Sequence, residues 1–275
     1  MGLVVSLSTI PPRFAHIGAT LASLIAQTAP IDEIRLYIPR KYRRFPDYDG
    51  SLPDVPEGVR IIRPSDDLGP ASKVLFAVDD LRGTDTTIIY CDDDRIYEPD
   101  RFARMIAESL QRPGHCIAPL SLEFADMGLP TPSLRQPRVR RSRKDLEYRF
   151  RRVKQQLRSL VTGRALAKPF RHRFIAGGYA AFAEGCGAVL IRPDYLGDDT
   201  FNIPPVVWTV DDIWLSGQME RMGVPIWTPA NFVVPQHDGA NDVEPLYLAV
   251  IEGLGRHDAN RACVRYMQDT YGIWR

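Results

Sequence analysis

Hydrophobic and polar positions follow two rhythms along the first third of the chain. Leu3–Ser8, Ile34–Ile38, Val59–Ile62 and Thr87–Cys91 are short β-branched and aliphatic runs, the pattern of buried strands. Between them Ile17, Leu21, Leu24 and Ile25 recur at helical spacing, and Leu75–Leu81 and Phe102–Leu110 read as further helices. Pro11-Pro12 closes the first strand, because proline cannot donate to a ladder. Strands alternating with helices predict an α/β domain built on a largely parallel sheet, with helices on its faces. Ligands of such sheets bind outside the carboxyl ends of the strands. Further on, Gly185–Ile191 predicts a strand that opens on small residues. Val210–Met222 predicts a helix whose Asp211 and Asp212 suit the positive end of its dipole. Val243–Tyr271 has more helical periodicity.

Composition narrows the class. A chain of 275 residues with 44% hydrophobic and 25% charged positions forms one large domain or two small ones and needs no staples. No apolar run is long enough to predict a transmembrane helix, and the N-terminus lacks the basic region of a signal peptide. Cys91, Cys116, Cys186 and Cys263 form no CxxC pair and read as reduced, mostly buried thiols, so the expected location is cytoplasmic. The net charge of +1 predicts no nucleic-acid partner.

That total hides an asymmetry. Between Arg135 and Arg173 lie 15 Lys and Arg residues against only Asp145 and Glu147, which leaves 20 basic and 32 acidic residues elsewhere. Within this segment Leu146, Phe150, Val153, Leu157 and Leu160 are spaced as one stripe of an amphipathic helix. Two readings are open. The segment meets an anionic surface (an inner membrane leaflet, a lipid diphosphate or an acidic polysaccharide), or it packs its stripe on the domain and solvates its charge.

Four constellations are candidates for chemistry. Asp92-Asp93-Asp94 follows directly on the apolar strand ending at Cys91. If strand geometry persists, Asp92 and Asp94 share a side and can hold a hard divalent cation, Mg²⁺ or Mn²⁺. The alternative is a solvated acidic turn. Ser65–Lys73 is a loop running into a helix, whose N-terminus and Lys73 can meet a phosphate; it does not fit the Walker A pattern, and a capped helix start is its other reading. Asp211 and Asp212 offer a general base or an N-cap. His237, in a polar loop, can complete a metal shell or simply face solvent.

In this order the segments resemble a glycosyltransferase of the GT-A fold, of the broad family 2-like type found in bacterial surface-glycan synthesis. Ser8-Thr9-Ile10-Pro11-Pro12-Arg13 looks like the family's nucleotide-facing opening, and Ala26-Gln27-Thr28 like the end of its first helix. Gly69–Lys73 stands in the place of its second nucleotide-contacting segment, Asp92–Asp94 of its DxD motif and Gly185–Ala188 of its acceptor-side strand. Asp211-Asp212 is similar to its "ED" pair, and His237 sits where many members carry a metal ligand. The match covers most of residues 3–240. The second strand lacks the Asp that usually holds the base, and the "ED" pair is Asp-Asp here.

The resemblance implies one GT-A domain over 1–275: a Rossmann-like, mostly parallel sheet flanked by helices. A nucleotide-sugar-binding half spans 1–115, a basic helical insertion 135–173, and an acceptor-binding half with C-terminal helices 174–275. It implies transfer from a nucleotide-diphosphate sugar, UDP-linked by expectation, to a hydroxyl of a glycan or lipid-linked sugar acceptor, with inversion. Asp212 would be the base beside Asp211; Thr9, Pro11, Arg13, Asp67, Gly69, Lys73, Asp92 and Asp93 would line the donor; Asp92, Asp94 and His237 would hold Mn²⁺ or Mg²⁺. An anionic membrane surface is the further partner expected through 135–173, on the inner membrane face. Two alternatives compete: a catalytically silent glycan- or membrane-binding module on the same fold, and a sugar nucleotidyltransferase. The latter normally carries a Gly-rich basic loop where this chain has Thr9–Arg13.

Overall fold

The computed structural model describes residues 2–142, 146–163, 173–245 and 255–275. In chain order the strands are β1 (Gly2–Ser8), β2 (Glu33–Tyr37), β3 (Val59–Ile62), β4 (Thr86–Tyr90), β5 (Arg95–Ile96), β6 (Cys116–Ile117), β7 (Ser121–Leu122), β8 (Arg140–Arg141), β9 (Phe174–Ala176), β10 (Gly178–Tyr179), β11 (Phe182–Ala183), β12 (Val189–Ile191), β13 (Ile226–Thr228) and β14 (Gln236–His237). The α-helices are α1 (Gly18–Ile25), α2 (Ser72–Asp80), α3 (Arg101–Gln111), α4 (Leu146–Thr162), α5 (Asp211–Arg221) and α6 (Arg256–Tyr271).

Eight strands form the main sheet in the order β10-β13-β6-β12-β4-β1-β2-β3. From β4 to β3 every pairing is parallel, and β12 enters antiparallel between β4 and β6. The expected Rossmann-like mixed sheet is therefore present, most regular where the sequence alternation is clearest. Its centre is hydrophobic on both faces, as a sheet covered by helices on both sides requires. Ile89 and Cys91 face a core with Leu21, Leu24, Phe102 and Met105 of α1 and α3. Ile88 and Tyr90, one residue out of phase, face Val74, Val78, Trp214 and Met267 of α2, α5 and α6.

The chain leaves β1 toward β2 and β3, then crosses back to place β4 on the other side of β1. The carboxyl ends of β1 and β4 thus adjoin at a switch in strand order, where doubly wound sheets open a crevice.

Three expectations change. Only Val189–Ile191 of the Gly185–Ile191 run is strand, because Gly185–Gly187 winds into a 3-10 turn. Of Val243–Tyr271, Arg256–Tyr271 is helix, and residues 246–254 lie outside the described residues. The α4 stripe does not pack on the domain: Leu146, Phe150, Val153, Leu157 and Leu160 are all exposed. Among the described residues no helix is long and apolar enough to cross a membrane.

Candidate active site

The crevice beyond β1 and β4 is a cavity of about 230 Å³. Thr9 and Arg13 line it from the segment after β1, Asp67, Gly69 and Lys73 from the turn into α2, Asp92, Asp93 and Asp94 from the segment after β4, and Asp211 and Asp212 from the start of α5. The structure brings these ten predicted residues into one cleft. Pro11 and His237 are outside its lining: Pro11 opens a 3-10 turn beside Arg44 and Phe45, and His237 is exposed on β14.

Strand geometry stops at Tyr90, so the three aspartates do not alternate as an extended strand would. Asp92 faces Lys73, whose Nζ lies 2.5 Å from its Oδ1. Asp93 accepts from Thr9 Oγ1 at 2.5 Å and from Arg13 at 2.6 Å. Asp94 lies between Arg13, at 3.4 Å, and the Nε of Arg95, at 3.2 Å. Each carboxylate therefore meets a cation of its own chain. A buried pair of this kind is costly to break from one side, since the partner left behind keeps its charge without compensation.

Lys73 is the hub. Its Nζ also lies 2.7 Å from Asp211 Oδ2, and its backbone carbonyl accepts from Ser6 Oγ at 2.5 Å. Burial would lower its pKa, but Asp211 and Asp92 overcome that and hold the ammonium protonated well above its ordinary range. The same ammonium explains Asp92: burial pushes its carboxyl up, and Lys73 pulls it below the usual carboxylate value. Close approach is possible because Gly185 has no side chain; a Cβ there would sit 2.7 Å from Lys73 Nζ. Gly69, at φ +60°, turns the chain into α2 against Trp208, whose ring would be 2.8 Å from a Cβ.

Asp212 differs from its neighbours. Its Oδ1 accepts the Gly185 N–H at 2.9 Å, and the nearest cation on its Oδ2 is Arg256, at 3.7 Å. Burial, then repulsion from Asp211, push its pKa up to about 7. Asp94 is pushed up to about 6, by burial and then by Asp92. Two carboxyls that titrate near neutrality thus stand beside a third, Asp92, held ionised.

Divalent-cation binding tests differently on the three expected ligands. Asp94 Oδ1 is buried with no well-formed hydrogen bond, but the Arg95 guanidinium faces it at 3.2 Å, so a metal there would have to displace that cation. Asp92 and Asp94 together match the way Mg²⁺ is often held, by one or two carboxylates plus substrate phosphates. His237 does not fit: Arg95 stands between it and Asp94, with its NH1 2.9 Å from His237 Nε2. Among the described residues no group of three or more His, Cys, Asp and Glu converges on one point.

Sequence reasoning missed three members. Arg95 abuts the three aspartates, and an Arg beside such a cluster is a signal that could have marked it as their counter-ion. Arg256, at the start of α6, reaches Asp211, Asp212 and the Thr209 carbonyl from a distant part of the chain, with no local signal. Gly185 was placed in a strand; its roles as N–H donor to Asp212 and as clearance for Lys73 come from the 3-10 turn.

No protein-family model matches the chain, and no curated protein matches it. Among solved structures, that of S. aureus TarS is similar over 86% of this chain and 36% of its own, at 11% identity and a TM-score of 0.45. A structure of S. aureus TarS 1–349 in complex with UDP is similar over 86% of this chain and 60% of its own, at 12% identity and a TM-score of 0.43. The Francisella tularensis 2-C-methyl-D-erythritol 4-phosphate cytidylyltransferase is similar over 96% of this chain and 98% of its own, at 12% identity and a TM-score of 0.43. The chain thus spans about a third of the first of these structures.

Proposed function

We propose that this chain transfers a glycosyl group from a nucleoside diphosphate sugar to a hydroxyl of a glycan or lipid-linked acceptor. The observation that carries the reading is a single cleft that combines buried cations with a carboxyl group, Asp212, whose pKa lies at about 7. The leaving group is a diphosphate. Lys73, Arg13, Arg95 and Arg256 place positive charge along the cleft where negative charge would build up as the sugar–phosphate bond breaks. The acceptor oxygen forms the new bond to the anomeric carbon, and its proton passes to Asp212. Attack opposite the leaving diphosphate inverts that carbon.

A base is needed because a sugar hydroxyl holds its proton tightly at neutral pH. Positioned proton removal contributes about 10²–10⁴-fold and works best when the base titrates near the working pH. Asp212 meets that condition; Asp92, held ionised by Lys73, does not. Asp92 and Asp94 would hold Mn²⁺ or Mg²⁺, which when bound adds positive charge to the diphosphate.

The test is a thermal-shift screen of nucleoside diphosphates and their sugars, beginning with the uridine series, with and without Mn²⁺. A ligand at about 100 times its Kd stabilises by about 2.7 kcal/mol. The expected result is a shift with one nucleoside diphosphate, larger with Mn²⁺, and slow release of free sugar from the matching donor. No shift with any of them overturns the reading. A shift without hydrolysis or transfer makes the chain a binding module, and pyrophosphate release from a nucleoside triphosphate and a sugar phosphate makes it a nucleotidyltransferase.

A further inference from the structure

Helix α4 turns its apolar face the wrong way for a helix that belongs to a core. At 100° per residue, Leu146, Phe150, Val153, Leu157, Leu160 and Val161 fall within an arc of about 100°. All six are exposed, Leu160 at 80% and Val161 at 87%. The half-buried residues lie on the opposite side: Tyr148, Arg151, Arg152, Gln155 and Ser159. The helix therefore sets its polar face toward the protein and its stripe toward solvent. An exposed contiguous apolar stripe marks an interaction surface.

The flanks say what covers it. Arg149 and Lys154 border the stripe on its two sides, both exposed, with Arg158 beyond Lys154. Between Leu146 and Thr162 the sequence has five Lys and Arg residues and one acid, Glu147. A second copy of the helix would bring basic flanks against basic flanks, where paired helices place opposite charges. An acidic polysaccharide would answer the charge and leave the apolar stripe in water. An anionic bilayer answers both: the stripe enters the acyl boundary, and the flanking cations reach back to the phosphate headgroups.

We infer that α4 is an in-plane membrane helix that docks this protein on an anionic lipid surface. The inference rests on α4 alone and holds whatever the chemistry of the cleft. The test is co-sedimentation of the full chain with vesicles of phosphatidylcholine alone and of phosphatidylcholine mixed with phosphatidylglycerol. Each Lys or Arg near an anionic surface strengthens binding by about fivefold, so the mixed vesicles should bind at least about tenfold better, and high salt should erase most of the difference. Phe150→Gln with Leu157→Gln keeps every charge and removes the centre of the stripe; both residues are exposed, so the fold does not depend on them. This variant should lose about tenfold or more of its binding to the mixed vesicles.

Three outcomes overturn the inference. The first is equal binding to both vesicle types, or to neither. The second is unchanged binding by the Gln variant, which takes the stripe out of the contact. The third is a lipid-free dimer that the Gln variant dissociates, which assigns the face to a second copy.

Discussion

Lys73 and Lys154 are the same residue in opposite circumstances. Lys73 is 6% exposed in the first turn of α2, held between Asp92 and Asp211. Lys154 stands in water on α4, beside an apolar stripe that nothing in the described structure covers. The acidic cleft holds most of its carboxylates against cations at contact distance, so its field is short-ranged and its geometry is fixed. The helix carries cations without acids, so its field reaches out and is screened by salt. One region is built to hold a ligand at defined atoms, the other to meet a surface of one charge.

Substituting the two lysines breaks this comparison most directly. Lys73→Ala leaves buried Asp211 and half-buried Asp92 without their cation and should cost about 3–5 kcal/mol in urea unfolding. Lys154→Ala should stay within about 0.5 kcal/mol of the parent. Lys73→Met combined with Asp92→Asn should recover part of the loss, since both charges go together. Equal small effects at the two lysines would mean that the Lys73 contacts are not formed in solution.

The next effect is on rate alone. Asp212→Asn keeps the oxygen that accepts the Gly185 N–H and removes the base. Transfer should fall by about 10²–10⁴-fold while nucleotide affinity, read by calorimetry, stays within about twofold. If the chain transfers as proposed, the rate of the parent should rise with pH through about 7, where Asp212 gives up its proton. Full turnover by the Asn variant would remove Asp212 from the base role.

The parts of this contrast that could be read from the sequence are those carried by local pattern. The β1 and β4 runs are nearly continuous and apolar because those central strands are buried on both faces, and no alternative period competes; β3, at the sheet edge, is only partly buried. The acidic loop after β4 and the acidic first turn of α5 announce themselves because adjacent like charges need a reason. What stayed hidden depends on distance in the chain. Nothing near Arg256 says that it reaches Asp212, and nothing near Lys73 says that Gly185 makes room for it. The α4 stripe was legible as a stripe, but periodicity is the same whichever way the helix faces. His237 shows the converse: its type suited a metal shell, and the antiparallel pairing of β14 with β5 placed Arg95 in between.

Gly185→Ala sharpens the cleft side of the comparison without touching a charge. The added methyl would be 2.7 Å from Lys73 Nζ and 3.1 Å from Asp92 Oδ1. A free lysine would swing away at little cost, as Lys154 can, but Lys73 can move only by loosening two ion pairs. The expected cost is about 1–3 kcal/mol of stability, the usual range for overpacking, with about tenfold weaker nucleoside diphosphate binding. A variant that binds and melts like the parent would show that Lys73 is not pinned.

The last effect is on how stability varies with pH, and it belongs to a carboxyl of the cleft. Folding raises Asp212 from an ordinary carboxylate value of 3.8 to about 7, through burial and then Asp211. Between those values the folded protein holds a proton that the unfolded chain has released. Its contribution is therefore most favourable below about pH 4 and is lost as pH rises to about 7, beyond which it stays lost. Asp212→Asn deletes this contribution. The variant should melt clearly above the parent at pH 8, and the two melting curves should converge as pH falls toward 4. A gap that is constant with pH would mean that the amide changes packing rather than charge. A parent more stable than the variant at pH 8 would mean that the carboxylate is compensated by Arg256 and Lys73 more fully than its burial allows.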